Sequence, residues 1–120
     1  MLKTILLATA MSLSVYDGDT MTVNGVHYRM VGWDSPEIHG KCAEEKALAI
    51  QARNELMRLV KEPSAQLVET KCVGSNFGRS CGRLIVDGSD VAPHMVSSGL
   101  GHAYKCIGTR CPRRLLWCSK

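Results

Sequence analysis

The 120-residue chain has room for one hydrophobic core and not two, and no stretch approaches the roughly 20 apolar residues of a membrane-spanning helix. Lys and Arg outnumber Asp and Glu by 15 to 11, a formal charge of +4 that suits a polyanionic partner without requiring one. Six cysteines are many for this length and no CxxC pair occurs, which argues against the common zinc spacings and for a cystine-stapled, exported domain.

Lys3 and the apolar run from Ile5 to Ala10, with small residues at Ala8 and Ala10, predict a short leader over residues 1–10 and a folded domain over 11–120. That leader is shorter than common export signals, and the alternative is a first strand with an apolar extension. Residues 11–16 alternate apolar and small polar side chains, as a half-buried strand does. Asp17-Gly18 signals a turn or bulge. Thr20–Val23 and residues 26–31 flank Asn24-Gly25, which predicts a hairpin because both turn residues tolerate positive φ. Pro36, within Asp34-Ser35-Pro36-Glu37, lacks the donor a ladder needs and ends the sheet.

From Ala43 to Val60, the residues Leu48, Ala52, Leu56 and Leu59 recur at three- and four-residue steps, with Glu44, Arg53, Glu55 and Arg58 largely off that stripe. This is a helical period, stopped by Glu62-Pro63-Ser64. Strands are predicted over 66–72 and 81–86, joined by a polar segment at 73–79. A short helix follows over 91–98, with Pro93 in its first turn and Gly99 as the stop. Beyond Tyr104 the tail is basic and cysteine-rich, without a helical period. The order β-β-β-α-β-β-α predicts a mainly β, α+β fold: a five-stranded OB barrel with a capping helix after the third strand and a short second helix.

Three islands carry the chemically useful groups: Asp17-Gly18-Asp19-Thr20, the run Arg-Met-Val-Gly-Trp-Asp-Ser-Pro-Glu from Arg29 to Glu37, and Phe77-Gly78-Arg79. Singly, they read as a surface turn, a strand ending in a capped turn, and a loop with a solvated arginine. Together, in this order and followed by Gly88-Ser89-Asp90-Val91 and Gly99-Leu100, they resemble the staphylococcal nuclease family over about residues 11–104.

The resemblance implies a calcium-dependent endonuclease that cleaves P–O5′ bonds of DNA and RNA to leave 3′-phosphates, with little sequence preference. Phosphodiester attack adds negative charge on the equatorial phosphate oxygens and needs a group to direct water. Hard oxygen ligands suit Ca²⁺. By resemblance, Asp19 and Asp34 supply carboxylates and Ser35, where threonine is usual, a main-chain carbonyl. Glu37 activates water, and Arg29 and Arg79 clamp the phosphate in forked geometry. Asp17 shapes the turn or sits behind the ligands. Phe77 and Tyr104 are candidate substrate contacts, although Phe77 replaces a frequent tyrosine and so lacks its hydroxyl. The family's long C-terminal helix has no counterpart, and the segment 38–42 is short for a substrate loop.

The competing class is a non-catalytic OB-fold module that binds nucleic acid. The presence of Asp19, Arg29, Asp34, Glu37 and Arg79 together favours the enzyme. A structural secreted domain would account for the cysteines alone. Six cysteines leave fifteen connectivities open; one reading bridges Cys72 with Cys81 across two strands and Cys106 with Cys111 in the tail, leaving Cys42 with Cys118. Trp33 and Tyr28 read as core, and His39, His94 and His102 as surface groups. Arg110, Arg113 and Arg114 form a basic tail that either touches phosphates or is simply solvated. The expected protein is a monomer, without membrane association in its mature form, in the periplasm or outside the cell.

Overall fold

A computed structural model describes residues 3–72, 78–107, 110–113 and 115–118. In chain order it contains β1 (Thr4–Leu6), a 3-10 turn (Leu7–Thr9), β2 (Leu13–Asp17), β3 (Thr20–Val23), β4 (Val26–Met30), β5 (Gly32–Asp34) and helix α1 (Ala43–Val60). These are followed by β6 (Gln66–Thr70), β7 (Ser80–Val86), β8 (Ser89–Asp90), helix α2 (Ala92–Ser97) and β9 (His102–Tyr104).

The main sheet has the order β1-β6-β7-β4-β3-β2, with β8 paired to β7. The β3–β4 hairpin turns where expected, at Asn24 (φ 51°) and Gly25 (φ 82°). β4 and β7 run parallel, pairing Tyr28 with Ser80 and Met30 with Gly82, and the other pairs are antiparallel. β5 and β9 form a separate two-stranded sheet. The result is mostly β, a curled half-barrel with one main helix and a short second one, as an OB-like fold requires. Among the described residues no helix follows α2.

Helix α1 spans the predicted range, but its buried stripe differs in detail. Ala49 and Ala52 are fully buried, with Leu56, Leu59 and Val60 continuing the stripe, whereas Leu48 is only half-buried. The small residues let the helix lie close to β2. The two largest core side chains, Trp33 and Tyr28, are fully buried, so both are structural, and Tyr28 Oη donates to Glu69 Oε2 at 3.2 Å.

The N-terminal segment takes part in the fold: Thr4, Ile5 and Leu6 pair with Val68, Leu67 and Gln66, and Leu7 is buried in the core. The polar segment predicted between β6 and β7 lies, from Val73 to Phe77, outside the described residues. All six cysteines pair, as Cys42–Cys118, Cys72–Cys81 and Cys106–Cys111. The first bridge ties the tail to the N-cap of α1.

Candidate active site

The turn between β2 and β3 is built around Gly18. A Cβ there would lie 2.6 Å from Ala52 Cβ and 2.9 Å from Ser35 Cβ, so only glycine lets the turn wedge between α1 and the 35–37 segment. Asp17 Oδ1 accepts from Asp19 N at 3.2 Å, and Trp33 Nε1 donates to Gly18 O at 2.9 Å. Those bonds set the direction of Asp19, which is buried and accepts from Ser35 N through Oδ2 at 2.9 Å. Asp34, at the end of β5, is buried beside it.

Arg29 leaves β4 opposite Thr20. Its Nη1 donates to Trp33 O at 2.9 Å and to Met30 O, and lies 3.4 Å from Asp19 Oδ2. Its Nη2 is 3.7 Å from Asp34 Oδ1. One guanidinium thus faces two carboxylates and holds both in the same hollow. The Arg29 Cζ sits 5.9 Å from the centre of the Tyr104 ring, close enough for cation–π attraction. Arg79, at the start of β7, reaches back across the sheet and donates from Nη1 to Thr20 Oγ1 at 3.3 Å.

Glu37 is exposed, while its backbone is anchored. Glu45, buried in the first turn of α1, accepts from Glu37 N through Oε2 at 3.0 Å and from Lys41 N through Oε1 at 3.1 Å. Sequence reasoning missed Glu45. The available signal was its place three residues after the N-cap Cys42, where an acidic side chain can turn back to free amides. Lys71, Arg83 and Lys105 also join the cleft and were not foreseen, since none belongs to the three islands and a single basic side chain carries no motif of its own.

These residues line one cleft of about 1070 Å³, which holds Asp17, Asp19, Arg29, Asp34, Ser35, Glu37, Arg79 and Tyr104 together. Burial, and then the neighbouring Asp19, raises the Asp17 carboxyl to about 7. No third His, Cys, Asp or Glu ligand atom among the described residues closes on Asp19 and Asp34 within 4.8 Å. The one such trio found, Cys42–Glu45–Cys118, has both sulfurs committed to a disulfide. A hard cation in the cleft would therefore draw on Asp19 and Asp34, with main-chain and water oxygens completing its shell. That all-oxygen donor set fits Ca²⁺.

The remaining candidates divide. Phe77 and Arg114 lie outside the described residues. His39 is exposed as expected, His94 contacts Glu55 on α1, and His102 is half-buried, its ring stacked 3.6 Å from Trp117. Arg110 and Arg113 are exposed, and Cys106 and Cys111 reach the cleft wall.

The family model described as staphylococcal nuclease homologue matches residues 27–115. The chain belongs to that family. No curated protein matches it. The matched span carries Arg29, Asp34, Ser35, Glu37, Arg79 and Tyr104. Asp19 precedes the span, and it is the fold that brings it beside Asp34 and Arg29. Family membership makes nuclease or nucleic-acid-binding activity the general expectation for this cleft.

Proposed function

We propose that this protein is a calcium-dependent endonuclease that hydrolyses phosphodiester bonds of DNA and RNA, with little sequence preference. The observation that supports it is convergence: Asp19, Arg29, Asp34, Glu37 and Arg79, from three distant stretches of chain, line one cleft. A non-catalytic module has no need for these carboxylates and guanidiniums to meet in one cleft.

In this reading Asp19, Asp34 and the Ser35 carbonyl hold the calcium ion. When bound, the ion supplies positive charge against the negative charge that grows on the phosphate. Arg29 and Arg79 donate to non-bridging phosphate oxygens, where charge-assisted bonds strengthen as the oxygens gain charge. Glu37 accepts a proton from the attacking water. The new P–O bond forms opposite O5′, the P–O5′ bond breaks, and O5′ leaves with a proton taken from solvent. The products are a 3′-phosphate and a 5′-hydroxyl. Three cystines suit an oxidising compartment, so we read the protein as exported.

The test is cleavage of denatured DNA by the oxidised protein in millimolar Ca²⁺ against excess chelator, with Arg29→Ala purified in parallel. Calcium-dependent cutting that Arg29→Ala lacks is the expected result. DNA binding without cutting by folded protein would replace this reading with the non-catalytic OB-fold module.

A further inference from the structure

The β2–β3–β4 meander bears a second hollow, of about 530 Å³, that the reaction above does not use. Its walls include Ser14, Tyr16, Thr20, Thr22, His27 and Arg79. Asp17 and Arg79 also line the cleft, so the hollow begins where the cleft ends.

The strand register explains the shape. Ser14 pairs with Thr22 and Thr22 with His27, which sets a polar row across three strands. Further along, Thr20 pairs with Arg29, so the same strands run on to the arginine of the cleft. The β2–β3 register slips between Val15 and Asp17, leaving Tyr16 as the extra residue of a bulge. Bulges beside active sites re-aim a side chain. Here Tyr16 stays 58% exposed, although a phenol of this size gains by burial. Thr22 Oγ1 and His27 Nδ1 are 2.6 Å apart, which leaves Nε2 as the imidazole nitrogen for a ligand.

We propose that this hollow is a subsite for single-stranded nucleic acid, holding the nucleotides that continue out of the cleft. Tyr16 stacks on a base flanking the scissile phosphate. Arg79 bridges the two sites, and His27 with the Ser14 and Thr22 hydroxyls takes the next phosphate or sugar. An aromatic platform next to a cationic groove is how sequence-tolerant proteins hold single strands. A duplex keeps its bases stacked on each other and cannot offer one to Tyr16. The exposed wall is mostly apolar, as a surface for base stacking is, with hydroxyls, the His27 imidazole, the Asp17 carboxyl and the Arg79 guanidinium placed around it.

The subsite rests on the nucleic-acid reading of the cleft but not on hydrolysis, so it is tested by binding alone. Fluorescence anisotropy in excess chelator is used to compare a thymidylate oligomer of about twelve nucleotides, within the span one OB fold covers, with a thymidylate dinucleotide. Tyr16→Ala is expected to weaken binding of the oligomer about tenfold and of the dinucleotide less than twofold, while Tyr16→Phe keeps wild-type affinity for both. His27→Ala should weaken the oligomer alone. Thermal melts check that the variants fold. Equal effects of Tyr16→Ala on both ligands, no effect on the oligomer, or failure of folded wild type to bind the oligomer would each overturn the subsite. Failure of the calcium cleavage test, with the Tyr16 effect intact, would instead remove the hydrolytic reading and leave the subsite standing.

Discussion

Glu37 and the arginines do different things in the cleft, and substitutions can separate them. Arg29 is pinned by Trp33 O, Met30 O and two carboxylates, so it is a fixed positive centre. Glu37 is exposed, and its main-chain amide is held by Glu45. Replacing Glu37 by Gln keeps shape and removes the proton acceptor. Turnover of denatured DNA should fall by about a hundredfold or more, the usual scale for a lost general base, with affinity little changed. Arg29→Ala and Arg79→Ala should impair both. Near-normal cleavage by Glu37→Gln would sink the water-activating role. Gly18 answers to packing instead. Gly18→Ala forces a Cβ to within 2.6 Å of Ala52 and 2.9 Å of Ser35, and should cost about 1–3 kcal/mol in urea unfolding, as overpacking does. An unchanged midpoint would mean that α1 moves aside easily.

Among the elements, α1 does more than cap the barrel. Its first turn carries Glu45, whose two oxygens hold the amides of Glu37 and Lys41 and so fix the segment that presents the Glu37 carboxylate. Glu45→Ala leaves two amides without their acceptor. It should lower stability by about 1–3 kcal/mol and reduce kcat more than it changes KM. Loss of stability with kcat intact would make Glu45 purely structural. At the other end of α1, Glu55 accepts from Arg58 Nε and Nη2, both at 2.7 Å, and contacts His94 of α2. The Arg58 hydrogen bonds, helped by His94 against the opposing effect of burial, pull the Glu55 carboxyl from 4.5 down to about 2. A carboxyl with a depressed folded pKa stabilises fully above its unfolded value, and that share is lost as pH falls through the folded one. Glu55→Gln should therefore destabilise the protein at neutral pH, and the difference from wild type should shrink between pH 4.5 and about 2 in acid melts. A difference independent of pH would assign the effect to packing.

At the scale of the whole molecule, Cys42–Cys118 closes a loop with a sequence separation of 76, against 9 and 5 for the other bridges. Loop entropy predicts that this bridge alone stabilises by about 4–5 kcal/mol, more than either local one. The double variant Cys42→Ser with Cys118→Ser should accordingly lower Tm by more than Cys72→Ser with Cys81→Ser does. The reverse order would show that the tail contributes little to global stability. Because Cys42 caps α1 next to Glu45, the same bridge couples the tail to the helix end that holds the Glu37 segment.

What the sequence by itself determined was set by local torsions and by chemical demand. Asn24-Gly25 specifies its turn because both residues accept positive φ, and the helical period of 43–60 repeats often enough to exclude a strand. The three islands were legible because the residue types suited to phosphate and hard cations are few. Other features depended on partners far along the chain. The β5–β9 pair joins three-residue strands whose pairing no local pattern encodes, and the parallel β4–β7 pairing requires a crossover through α1. Leu48 and Ala49 exchanged burial because Ala52 packs against Gly18, leaving a contact surface that favours small side chains. Glu45, Lys71, Lys105 and the Tyr16 bulge acquired their places only when the sheet curled over α1, since residue type fixes what a group can do and tertiary structure fixes what it is next to.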